Sequence, residues 1–150
     1  MHARTDMRLA WALALLPLIG ACAPPPASRV VTLCADLAGA GPSSDATDPD
    51  HRGMAILTLT PTAIHYEIHA PGLGKVTATH VHHAEPGFNG PMLWELNSGF
   101  EGESAVGDTT EIPHGVIALM ETYPREFYVK LHSVAYPGGA IRGQLVPCGR

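Results

Sequence analysis

A chain of 150 residues has room for one domain plus extensions. A domain near this size buries roughly 68–70% of its unfolded surface, so an ordinary core is within reach. With 16 Gly, 14 Pro and 6% aromatics, the chain favours short elements joined by turns. Its formal charge of −5, with no Lys/Arg cluster, argues against a phosphate-binding face and so against a nucleic-acid partner.

The first 21 residues stand apart from the fold. Arg4 and Arg8 precede the apolar run LAWALALLPLIGA, residues 9–21. That run is shorter than the ~20 residues a membrane-spanning helix needs, and it reads as a secretory signal. Its end, Ile19-Gly20-Ala21-Cys22, resembles the bacterial lipobox, which implies cleavage before Cys22 and acylation of that residue. Loss of residues 1–21 removes Arg4, Arg8 and Asp6 and leaves a formal charge of −6. The expected address is the bacterial cell envelope, with the membrane as a partner through the lipid. Residues 22–28 form a Pro-rich tether, APPPAS after the cysteine, which is extended and semi-rigid. The domain occupies 29–150.

Cys34 and Cys148 remain once Cys22 is lipidated. In an oxidising compartment two cysteines near the ends of a domain form a disulfide. A loop of about a hundred residues closed in this way stabilises by up to roughly 4.7 kcal/mol in the chain-entropy model.

The elements follow in quick succession. RVVTLCADL (29–37) is rich in β-branched residues and reads as a strand, and the polar stretch 38–53 as a loop. MAILTLT (54–60) is a strand that ends at Pro61. TAIHYEIH (62–69) alternates, with Ile64, Tyr66 and Ile68 on one face and His65, Glu67 and His69 on the other. KVTATHVHH (75–83) and PMLWEL (91–96) are strands on either side of the loop AEPGFNG (84–90). Residues 97–113 are mostly loop with one edge strand. HGVIALMET (114–122) is the single stretch of helical character. REFYVKLHSVAY (125–136) and AIRGQLVPC (140–148) are strands joined by the turn PGG (137–139). Seven or so closely spaced strands without a long amphipathic helix predict an all-β fold, an antiparallel sandwich or barrel.

Side chains alternate across a strand. Val81 faces one way, and His80 and His82 the other, about 6–7 Å apart along the strand. The same rule sets Phe127, Val129 and Leu131 against Tyr128, Lys130 and His132. With the apolar faces inward, His80, His82 and His132 all leave the core, and His132 joins the pair if its strand lies alongside. The 84–90 loop is placed to roof such a site. Three neutral imidazoles suit Cu or Zn and leave a fourth position open, whereas Ca or Mg sites are rich in carboxylates. An H-x-H pair alone is a weak signal, because outward histidines on strands are commonly just solvated. His83 points the other way and is a poorer ligand. His51, His65, His69 and His114 read as surface residues.

FYVKLHSVAYPGGAIRGQL (127–145) closely resembles the C-terminal signature of the CHRD domain family, the module named after chordin. ATHVHHAEPGFNGP (78–91) resembles a second family signature, MAILTLTPTAIHYEIHAPGL (54–73) fits its first strand pair, and CADLAGA (34–40) fits its start loosely. The resemblance covers roughly 34–146. It implies a compact extracellular all-β module, immunoglobulin-like or barrel-like, with the motif histidines at His80, His82 and His132. The chain departs from the pattern at His83, where the family often has Gly, and in the acidic loop 41–52.

Three functions fit. One is a ligand- or metal-binding lipoprotein module without turnover, holding Cu or Zn. A second is an enzyme, since the chain is also faintly similar to copper–zinc superoxide dismutase in His80-Val81-His82, Gly138-Gly139, Arg142 and Cys148-Gly149. That resemblance implies an anion-guiding role for Arg142. A structural role for Arg142, paired with a carboxylate such as Glu85 or Glu95, is the plainer expectation. The third is an adhesive or structural domain whose histidines are incidental. No nucleophile arrangement and no phosphate-binding loop stands out.

Overall fold

The structure, a computed structural model, describes residues 30–39, 46–96 and 99–149. The leader, Cys22 and the tether lie outside the described residues. In chain order the described elements are β1 (Val31–Ala38), β2 (Arg52–Leu59), β3 (Ile64–His69), β4 (Val76–His83), β5 (Met92–Glu95) and β6 (Ser104–Thr109). Then come α1 (His114–Thr122), β7 (Phe127–Ser133), β8 (Ile141–Gln144) and β9 (Val146–Pro147).

All strand pairings are antiparallel. The strands form one sheet in the order β5-β4-β7-β8-β1-β2-β3-β6, with β9 beside β1. The edge strands approach each other where Thr109 Oγ1 donates to the Glu95 carbonyl at 3.5 Å. The all-β expectation therefore holds, and of its two forms the structure takes the barrel, a single nearly closed sheet rather than two packed ones.

Alternation explains most of the core. Leu33, Ala35 and Leu37 on β1, Ala55, Leu57 and Leu59 on β2, and Ile64, Tyr66 and Ile68 on β3 all point inward and are buried. Each Leu or Ile so buried contributes about 1.5–3 kcal/mol. The stretch 97–113 contributes β6, which pairs with β3 along its full length. Helix α1 follows Pro113 and turns Ile117 and Met120 into the same core, one helical turn apart. Cys34 on β1 is bonded to Cys148, just past β9, with Cα atoms 5.0 Å apart, so the expected disulfide joins the first and last strands.

β7 breaks the rule of one buried face. Phe127, Val129 and Leu131 fill the core, yet Tyr128 and Lys130 on the opposite face are buried as well. β7 lies centrally between β4 and β8, and the 84–90 loop folds back over this part of the outer surface.

Candidate metal centre

β4 and β7 are neighbours, with His80 opposite Lys130, His82 opposite Tyr128 and Ala78 opposite His132. Directly paired residues share a face, and diagonal neighbours lie within reach of an aromatic ring. Ala78 offers only a methyl group opposite His132, which leaves that ring room to lean toward His80. The His80 and His132 rings meet edge-on with centroids 4.9 Å apart, and those of His80 and His82 are 5.8 Å apart. One ring nitrogen from each of His80, His82 and His132 lies within 4.8 Å of the other two. A tetrahedral ion with bonds of about 2.0–2.1 Å holds its donors about 3.4 Å apart, so the rings would close by roughly an ångström around one.

Two of the three rings are oriented by backbone carbonyls. His82 Nδ1–H donates to the Gly90 carbonyl at 3.0 Å, and His132 Nδ1–H to the Pro137 carbonyl at 2.9 Å. A carbonyl only accepts, so the neutral form of each ring is the Nδ1–H tautomer with the lone pair on Nε2. Metal-ligating histidines are commonly held in this way. The His132 Nε2 is buried and has no hydrogen-bond partner among the described residues. A buried polar atom without a partner is costly, and a coordinated ion would satisfy it. Burial holds the His80 imidazole below the usual histidine pKa, and His132 and His82 push it the same way against an opposing pull from Glu95. A neutral ring is the form that binds metal.

The loop and the turn carry out this orientation. A Cβ on Gly90 would collide with the His83 carbonyl, so only glycine lets the chain approach β4 closely enough for its own carbonyl to meet His82. Tyr128 Oη accepts from the Gly90 amide at 3.2 Å, and its ring stacks on His82 at 4.8 Å and 12°. The 137–139 turn also serves the cluster, because its first carbonyl fixes His132.

Arg142, opposite Lys130 on β8, is buried. Its guanidinium carbon lies 3.4 Å from the Tyr128 ring centroid, and it donates to Phe88 O and Asn89 Oδ1 at 3.0 Å each. Oxygens of the roof loop thus stand where a carboxylate of Glu85 or Glu95 was the expectation. Gln144 adds a second tie, donating to Ala84 O at 2.7 Å.

Among the described residues, the remaining histidines lie outside the cluster. His83 Nε2 faces Glu126 at 3.4 Å, and His65 Nδ1 donates to Asp108 at 3.0 Å. His51 Nδ1 donates to Asp48 at 2.8 Å, His69 contacts Ser104 Oγ at 3.0 Å, and His114 starts α1. All three cluster histidines leave the core, and His82, only 8% exposed, lies under the roof loop that it fastens.

The class of protein this geometry defines is an antiparallel β domain with an imidazole cluster held on its outer surface. The family model of the CHRD domain matches residues 33–145, and the chain belongs to the CHRD domain family. No curated protein and no solved structure matches the chain.

Proposed function

We propose that this CHRD domain is a lipid-anchored module of the bacterial cell envelope that binds Cu or Zn through His80, His82 and His132 without turning over a substrate. The observation that carries the reading is the orientation of the cluster. Two Nδ1–H groups are fixed on backbone carbonyls and three ring nitrogens converge within 4.8 Å. Histidines that were merely solvated would gain nothing from such support. The Ile19-Gly20-Ala21-Cys22 stretch supports the anchor and the envelope address.

Dismutase-like turnover is the competing reading, and Arg142 bears on it. An anion-guiding arginine needs a reachable guanidinium, whereas this one lies against Tyr128 and the roof loop. The test is metal analysis of protein purified from the envelope fraction, followed by a superoxide assay on the loaded form. One equivalent of Cu or Zn and no turnover is the expected result. Metal-free protein that cannot be loaded would overturn the binding reading, and metal-dependent loss of superoxide would favour the enzyme.

A further inference from the structure

Three imidazoles alone discriminate weakly between Zn(II), Cu(II) and Cu(I). The edge strand beside them adds two side chains of opposite character. Across the β4–β5 pairing His80 is opposite Glu95, Val81 opposite Trp94 and His82 opposite Met92, with Leu93 the extra residue of a bulge. Trp94 and Leu93 pack against the core. Glu95 and Met92 are exposed, which places both on the outer face with the histidines. Met92 retains 53% of its surface in contact with solvent.

We propose that Met92 is a fourth donor of this site and makes it selective for Cu(I), an inference that rests on the metal-binding reading above. Directly opposed Cβ atoms of an antiparallel pair are about 4.5–5.5 Å apart, and the three rotatable bonds of methionine let its sulfur swing toward a neighbour. The backbone beside Met92 is firmly placed, because His83 N–H donates to the Pro91 carbonyl at 3.1 Å and Gly90 accepts from His82. The thioether is a soft ligand that favours Cu(I), and it adds little for Zn(II). Imidazole coordinates a metal in its neutral form, and a thioether is uncharged. The four uncharged donors together suit a monovalent ion better than a divalent one. Glu95 is the hard alternative on the same edge strand.

The experiment is a set of competition titrations against a chromogenic chelator, with Cu(I) held reduced by ascorbate under argon and Zn(II) run in parallel. Wild type, Met92→Leu, Glu95→Gln and His132→Ala are compared. Met92→Leu weakens Cu(I) binding by about tenfold or more and leaves Zn(II) binding within about twofold, because only the soft ion uses the sulfur. A sulfur scatterer seen by X-ray absorption in the Cu(I) form disappears in the same variant. If Met92→Leu binds Cu(I) like wild type while His132→Ala does not, the role of Met92 is overturned and the histidine site stands. The same holds if Glu95→Gln alone weakens Cu(I). If wild type binds neither ion, both readings fall.

Discussion

The guanidinium carbon of Arg142 lies 3.4 Å from the centre of the Tyr128 ring. β7 runs between β4 and β8, so the ring has Arg142 toward one strand and His82, stacked at 4.8 Å, toward the other. Arg142 also holds the loop that roofs the site. Arg142→Ala removes its loop hydrogen bonds and the cation–π contact, at a cost of about 2–3 kcal/mol. Hydrogen exchange should quicken at residues 85–90 while β1–β3 keep their protection. Lysine is not an adequate replacement, since it lacks the planar guanidinium that lies on the Tyr128 ring while Nη1 donates to Phe88 O and Asn89 Oδ1 and Nη2 to Gln144 Oε1. Unchanged exchange in the loop would show that Arg142 does not hold it.

The Cys34–Cys148 bond closes a loop with a sequence separation of 114. Replacing both residues by Ser should lower unfolding free energy by about 2–5 kcal/mol, mostly by loosening the unfolded chain. Thiol labelling of the native oxidised protein should find neither residue reactive. Metal affinity should stay close to wild type, because neither cysteine takes part in orienting the histidines.

Asp48 is buried and accepts hydrogen bonds from His51 Nδ1 and from the amides of Asp50 and His51. Burial alone would raise its pKa, but these hydrogen bonds outweigh it and hold the carboxyl below its ordinary value of 3.8. A depressed folded pKa stabilises the protein above the unfolded value, and that stability is lost as the pH falls through the folded one. Asp48→Asn should therefore cost about 1–3 kcal/mol at neutral pH, and it should flatten the loss of stability below about pH 4. Urea midpoints measured from pH 7 to pH 3 decide it, and parallel curves for the two proteins would contradict the assignment.

Cys22→Ser should move the protein from the membrane fraction to the soluble pool, because a single lipid-bearing residue is the proposed anchor. Fractionation and mass analysis of the mature N-terminus check this. Unacylated, soluble wild type would remove the lipobox reading.

Much of the fold is legible in the residues. Alternation in 62–69 and 127–133 gives the correct inward faces, and α1 spans the same His114–Thr122 that its sequence suggests. The choice of barrel over sandwich is not legible, because it depends on β3 finding β6 across 35 residues or more and on the two edges meeting at Thr109 and Glu95. The cluster histidines are visible as H-x-H and a distant His, but their support is not. Gly90 and Pro137 act through carbonyls, which no residue letter reports. The Asn-Gly-Pro and Pro-Gly-Gly turns that present these carbonyls are the available signal. Lys130 and Arg142 look like surface cations in a strand pattern, yet both are buried, Arg142 under a loop distant from it in sequence.

His80, His82 and His132 are proposed to hold one metal ion. The most direct measurement is calorimetric titration of the folded domain with Cu(II) and Zn(II), for wild type, His80→Ala and His132→Ala. These two positions are the informative ones, since His82 also secures the roof loop. One ion per wild-type chain is expected, with affinity lowered at least about tenfold in each variant and denaturation curves that superimpose. A wild type that takes up no stoichiometric ion, or variants that bind it equally well, would contradict the account.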